Sequence, residues 1–410
     1  MNTDNSERFD NQYSEKVSVL IKNNNFSDDE VFIKTVDVII NTGIDNRASD
    51  IYFEPAKSEL LIKYRIDGVL YPIIKLEKKY EEPILIRLKV ISKLVVYKKR
   101  KPQEGRIYKA EQYKNLDLRI SIIPTIHGEK IAIRILGANE PIPELEQLGM
   151  YERQLNILKK NICRPQGLIL FTGPAGSGKS TSIYSILKFL IKAKGEFSNI
   201  CTIEDPVEFD LENIPQTNID EAIDFSYQNA LKTILRHDPN IIMLGEIRDK
   251  ETAKSAIEAA LTGHLIVTTI HSKSVAGVVT RLLNMDIEPY LVSSAVTAVI
   301  SQKLIRKLCV HCKIEAKKNE LENPELKAWD LKKMFKHCGC NSCNNTGYSG
   351  RTAIFEILEI TEELADFIMH KPQLNEFENR ISKNNFSIMQ SGIARINEGI
   401  TTVDEILRVL

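Results

Sequence analysis

The chain has 410 residues, 43% hydrophobic and 27% charged, with 55 Lys and Arg balancing 55 Asp and Glu. That length exceeds one ordinary core and argues for two or three domains; zero net charge removes the global field that would draw in nucleic acid or anionic lipid. No stretch approaches the roughly 20 apolar residues of a membrane span, and the N-terminus lacks the apolar core of a signal peptide, so the chain reads as cytoplasmic.

Residues 1–28, rich in Asn, Asp and Ser, read as a polar tail. Val36, Ile39 and Ile40 then recur at helical spacing, and that helix is expected to end near Gly43. Extended segments follow at 50–54 and 60–66, the second running through the tight-turn pair Asp67-Gly68 into 69–74. Residues 84–96 return to a helical period, Leu118, Ile120 and Ile122 alternate with polar residues, and 130–136 reads as a strand. Residues 29–138 are thus expected to be an α+β domain. Glu140-Pro141-Ile142-Pro143 breaks regular structure, which makes 139–146 a linker.

Beyond it, strands at 167–172, 200–203, 241–244 and 265–270 alternate with helices. One helix, starting at Ser180, carries Ile183, Ile186, Leu187, Leu190 and Ile191 on one face; another carries Ala253, Ile257, Ala260 and Leu261. Such alternation implies an α/β fold with a parallel sheet covered on both faces, over 147–306. Four of the seven cysteines then form two C-x-x-C pairs, Cys309 with Cys312 and Cys340 with Cys343. In a cytoplasmic chain this favours metal over disulfide, and four thiolates around Zn²⁺ make a closed, structural site. Cys338 and His311 are the alternative ligands, while Cys163 and Cys201 read as buried apolar residues. The cysteine module spans 307–352, and short helices are expected over 353–410.

The densest chemical signal is Gly173-Pro174-Ala175-Gly176-Ser177-Gly178-Lys179-Ser180-Thr181, which fits G-x-x-x-x-G-K-[ST] between a strand and a helix. Glycines let consecutive N–H groups converge on phosphate oxygens, and the helix N-terminus adds partial positive charge. Lys179 would neutralise the β- and γ-phosphates of ATP, and Ser180 would offer its hydroxyl to Mg²⁺. Glu204, in Thr202-Ile203-Glu204-Asp205-Pro206-Val207-Glu208, is the candidate base for an attacking water. On its own the run would serve as well to cap a loop. Glu246 ends the apolar run from Ile241 and fits a Mg²⁺-holding carboxylate. His264 and His271 flank a strand; a lone histidine is more often a structural hydrogen-bonder, but His271 falls at the end where it could contact a γ-phosphate.

Together these segments resemble the type II secretion and type IV pilus assembly ATPase family, from about Val31 to Leu410. In the first domain the likeness is carried by Ala48-Ser49-Asp50-Ile51, Tyr64-Arg65-Ile66-Asp67-Gly68, Pro102-Gln103-Glu104-Gly105-Arg106, Asp117-Leu118-Arg119 and His127-Gly128-Glu129-Lys130 with Arg134. In the second it is carried by the P-loop, Glu204-Asp205 with Glu208, Gly245-Glu246-Ile247-Arg248-Asp249 and Thr262-Gly263-His264 through His271. Thr346-Gly347-Tyr348-Ser349-Gly350-Arg351 and Gly399-Ile400-Thr401-Thr402-Val403-Asp404-Glu405 complete it.

The resemblance implies a RecA-like P-loop core behind a PAS-like α+β domain, assembled as a homohexamer with nucleotide between the two domains. It also implies that Arg106, Arg119 and Arg134 can complete the nucleotide site; by themselves they are equally well surface salt-bridging groups. The expected role is an ATP-hydrolysing motor for pilus assembly or type II secretion. Its partners would be a polytopic inner-membrane platform protein and, through it, pilins or pseudopilins, with the chain peripheral to the inner face of the membrane. A retraction or competence motor of the same family is the alternative, although retraction relatives generally lack the cysteine module. A DNA-translocating motor fits the neutral charge poorly, and the Lys179, Glu204 and Glu246 set speaks against a scaffold that binds ATP without turnover. Two departures stand out. The chain begins almost at the first shared domain, without the extra N-terminal domain of many relatives, and Ser272-Lys273 stand where the family tends to have Thr and Asn.

Overall fold

The computed structural model describes residues 29–108, 110–136, 141–195, 198–316 and 329–410. The expected tail at 1–28, the first part of the linker and part of the loop between the cysteine pairs lie outside the described residues. The chain forms two compact units, the first made of Met1–Glu140, Cys309–Lys313 and His337–Gly350, the second of Pro141–Leu308, Ile314–Lys336 and Arg351–Leu410.

In the first unit, helix α1 (Asp29–Asp45) is followed by β1 (Ala48–Pro55), β2 (Glu59–Ile66) and β3 (Val69–Glu77), then α2 (Glu81–Ile91). Strands β4 (Gln103–Ile107), β5 (Asp117–Thr125) and β6 (Gly128–Leu136) complete a six-stranded sheet in the order β3-β2-β1-β6-β5-β4, antiparallel throughout. Asp67 and Gly68 both take positive φ and close the β2–β3 hairpin, as the Asp-Gly pair predicts. Leu118, Ile120, Ile122, Ile131 and Ile133 line the inner face with Ile39, Ile40 and Phe53.

The helix expected to reach Val96 stops at Ile91. Lys93 adopts φ 58° and the Leu94 N–H donates to the Lys89 carbonyl at 2.8 Å, a left-handed stop that satisfies a last-turn carbonyl. Apolar residues beyond it merely continue the period.

In the second unit, α3 (Glu152–Ile162) precedes β7 (Gly167–Thr172), α4 (Lys179–Lys194), β8 (Ile200–Glu204), β9 (Gln216–Asn218), α5 (Tyr227–Ile234), β10 (Ile241–Ile247), α6 (Lys250–Leu261) and β11 (Leu265–Ile270). After α7 (Val275–Asn284) and α8 (Pro289–Ala295) come β12 (Val296–Leu308), the two-residue strands β13 (Ile314–Glu315) and β14 (Phe335–Lys336), and β15 (Tyr348–Glu359). The seven-stranded sheet runs β15-β12-β7-β11-β10-β8-β9. From β12 to β9 every pair is parallel. Strands β7 and β11 are buried at every position, because helices cover both faces. Neither β12 nor β15 was expected as a strand: the run from Val296 to Ile300, apolar but for Thr297, shows no strict alternation, so periodicity cannot tell helix from strand there.

Four short helices close the chain: α9 (Glu362–Met369), α10 (Leu374–Ile381), α11 (Ile388–Asn397) and α12 (Val403–Val409). Glu405 on α12 is fully buried and accepts the Arg306 backbone N–H and Nε, each at 2.9 Å, and Arg408 Nε at 2.8 Å. Burial pushes its carboxyl up, but Arg408 and Arg306 outweigh that and hold it below its ordinary value. A carboxylate depressed in the fold adds stability that is full above its unfolded pKa of about 4.3 and lost as pH falls through the folded value. Glu405→Gln strips the half of the pair that neutralises Arg306, at an expected cost of about 3–5 kcal/mol. Urea unfolding at pH 7 measures that loss, and the mutant's stability should fall less steeply than wild type below pH about 4.

Candidate active site and metal centre

Strand β7 runs directly into the loop 173–178, and α4 begins at Lys179. Two glycines there are dictated by crowding. A Cβ on Gly173 (φ 146°) would lie 2.3 Å from the Gln302 carbonyl oxygen, and one on Gly178 (φ 87°) 2.9 Å from Gln302 Nε2. Among the described residues, Gly178 at the N-cap has no side chain to cap α4, which leaves first-turn N–H groups to an anion. Ser177 Oγ, within the loop, is buried without a hydrogen-bond partner among the described residues, an orphaned donor of the kind that a bound group would satisfy. Lys179 Nζ donates to the carbonyls of Gly173 at 2.8 Å and Pro174 at 3.0 Å. Burial pulls its pKa down, while Glu246 and Glu208 push it back up. Ser180 and Thr181 are half-buried beside it, Pro174, Ala175 and Gly176 exposed. The donor set fits a phosphate chain.

The carboxylates stand at the C-terminal ends of neighbouring strands, where open parallel sheets place their ligands. Glu204 ends β8, is 3% exposed and accepts three neutral donors: Thr202 Oγ1 at 2.6 Å and Gln216 Nε2 at 3.1 Å on Oε1, and the Tyr184 hydroxyl on Oε2. Glu246, near the end of β10, is gripped on Oε1 by Arg248, and His271 Nε2 lies 3.2 Å from its Oε2. Arg248 also lies 3.7 Å from Asp205 and over the Tyr227 ring. His271 follows β11 and is held through its carbonyl by Arg281 Nη1 at 2.7 Å. His264 has the bland role: its Nδ1 meets the Ala259 carbonyl at the end of α6, 3.0 Å away.

Lys179, Glu246 and His271 are thus brought to one end of the sheet, with Glu204 on the adjacent strand. Arg106, Arg119 and Arg134 belong to the first unit. The ladder pairs Arg106 with Arg119 and Arg119 with Arg134, and Asp50 with both Arg134 and Arg65. Directly opposed residues share a face, so four guanidinium groups form one row across the outer face of that sheet. Arg134 Nε donates to Asp50 at 3.1 Å, and Arg106 pairs with Asp117.

The cysteines converge as expected. The Sγ atoms of Cys309, Cys312, Cys340 and Cys343 all lie within 4.8 Å of one another. Cys309–Cys340, Cys312–Cys343 and Cys340–Cys343 are each 3.8 Å apart. A tetrahedron with Zn–S bonds of about 2.3 Å has edges of about 3.8 Å, so the four sulfurs fit zinc. The N–H groups of Cys340 and Gly347, each 3.2 Å from Cys343 Sγ, would stabilise a thiolate there. Cys338 and His311 stand outside the cluster. Cys201 is buried as read, but Cys163 is exposed, because it follows the last residue of α3 rather than lying on its inner face.

Sequence reading missed Tyr184, Gln216, Arg248 and Gln302 as site residues. Thr202 could have been found, since it lies two residues before Glu204 on one strand and so shares its face. Tyr184 could not: it sits within the apolar stripe of α4 and looks like core.

A family model described as "Type II/IV secretion system protein" matches residues 25–408. The type II secretion system ATPase E of Vibrio cholerae serotype O1 is 38% identical over 387 residues, covering 93% of this chain and 76% of that protein. The type IV pilus assembly ATPase PilB of Myxococcus xanthus is 38% identical over 389 residues, covering 93% and 68%. Among solved structures, the ATPase DotB of Legionella pneumophila superposes with a TM-score of 0.67 at 20% identity, covering 91% of this chain and 94% of that one. The pilus retraction motor PilT with bound ADP gives 0.60 at 22%, covering 91% and 96%. At those identities the structures speak to the fold alone.

Proposed function

The chain belongs to the type II/IV secretion system protein family, and from that premise we propose that it is an ATP-hydrolysing motor for type II secretion or type IV pilus assembly. The observation that carries this reading is the loop before α4: crowded glycines, uncapped helix N–H groups, an unsatisfied Ser177 hydroxyl and Lys179, flanked by carboxylates at the strand ends. In this reading the loop N–H groups and Lys179 hold the phosphates, and Ser180 and Glu246 would hold Mg²⁺, which neutralises phosphate charge when bound. Glu204 takes a proton from water, the water oxygen bonds to the γ-phosphorus, and the bridging oxygen leaves with the bond pair as ADP. Arg106, Arg119 and Arg134 are proposed as anion-binding groups on the family resemblance alone.

A homohexamer acting on a polytopic membrane platform protein is proposed from the family. Among the described residues no helix is long and apolar enough to cross a membrane, so contact with the inner membrane would come through that partner. Assembly or secretion is favoured over retraction because a secretion ATPase and an assembly ATPase each match at 38% identity across most of the chain. The cysteine cluster points the same way.

Mg²⁺-dependent phosphate release by the purified chain, alone and oligomerised, tests the proposal; neither ATP affinity nor turnover in either form would overturn it. Metal analysis should find about one zinc per chain, and a folded, metal-free chain would refute the zinc assignment.

A further inference from the structure

We infer that Tyr184 is a positioning residue for the base: with Thr202 and Gln216 it forms a three-donor clamp on Glu204 and joins that carboxylate to the helix that follows the P-loop. The inference rests on the proposed hydrolysis and on Glu204 as its base.

Tyr184 lies one turn into α4, is fully buried, and packs edge-on against Phe209 with ring centroids 5.4 Å apart. Its oxygen accepts the Glu208 N–H at 3.3 Å, which helps turn its own proton toward Glu204 Oε2. Burial and the hydrogen bond to Glu204 push the phenol well above its ordinary pKa, so it stays a donor across the working range. A carboxylate offers about four lone-pair sites. Thr202 and Gln216 fill Oε1 and Tyr184 fills one site on Oε2, leaving a single site on Oε2 for a water. The clamp therefore selects which oxygen acts as base, and Tyr184 fixes its direction.

Other titratable groups cluster at these strand ends: Asp205 and Glu208 in the loop after β8, Tyr227 on α5, and Glu246 with Arg248 on and after β10. None of them donates to Glu204 among the described residues.

Tyr184→Phe keeps the ring and deletes the donor. The expected result is a roughly 10- to 100-fold lower kcat with KM for ATP within about threefold. Thr202→Val should show the same pattern and Thr202→Ser should restore it, which decides the matter if Tyr184→Phe does not fold by circular dichroism. Wild-type kcat in the folded variants overturns the clamp. Glu204→Gln separates the two failures: undiminished turnover there sinks the base assignment itself, whereas an inactive Glu204→Gln beside a fully active Tyr184→Phe sinks only the clamp.

Discussion

Glu204→Gln is expected to keep ATP affinity within a few-fold while turnover falls by about 10²–10⁴-fold. The change is isosteric and leaves Lys179 and the loop 173–178 untouched, so the groups proposed to bind phosphate remain in place. It removes the one property a base must have, an anionic oxygen able to take a proton. The surroundings tolerate the amide: its carbonyl can still accept from Thr202 Oγ1 and Gln216 Nε2 on one side. Its NH₂ can donate to the Tyr184 oxygen on the other, if that hydroxyl turns. Titration calorimetry with ATP and a coupled phosphate assay separate the two effects. Robust phosphate release would remove Glu204 as the base.

Lys179→Ala should fail earlier in the cycle, at binding as well as at turnover. Lys179 is the cation that the loop itself orients, and its ammonium donates to two loop carbonyls. Truncation deletes the charge proposed to meet the β- and γ-phosphates and strips those carbonyls of a donor. Loss of one such preorganised donor is worth on the order of 10²–10³-fold in rate, and the binding deficit comes on top. Lys179→Arg should not rescue, because a planar fork does not replace a compact ammonium in a loop this crowded. Wild-type ATP affinity in Lys179→Ala would count against the loop as the triphosphate site.

Much of this is legible in the sequence. The P-loop and the four cysteines announce themselves by spacing, because backbone geometry and ligand number impose that spacing locally; Glu204 and Glu246 are weaker signals alone, since acidic residues also cap loops and end many buried strands. Strands β7 and β11 were readable since their apolar runs are short and bounded by turn residues. Strands β12 and β15 were not: β12 is buried on both faces over most of its length, as is β15 around Ala353–Phe355, which erases the alternation that marks a strand. Tyr184 shows the same limit at the site. Its hydroxyl finds Glu204 only because α4 packs beside β8, a tertiary fact that no local pattern encodes. Among the cysteines, Cys163 misled because residue type alone suggested burial, whereas the end of α3 leaves it in solvent.

The row of guanidinium groups on the first sheet carries a thermodynamic cost. Arg106, Arg119 and Arg134 are directly opposed on adjacent strands, and like charges in that register weaken a sheet. Asp50 offsets this between Arg134 and Arg65, and Asp117 beside Arg106. A polyanion bound along that face would supply counter-charge, and its occupancy and the sheet's resistance to melting would then be coupled by mass action.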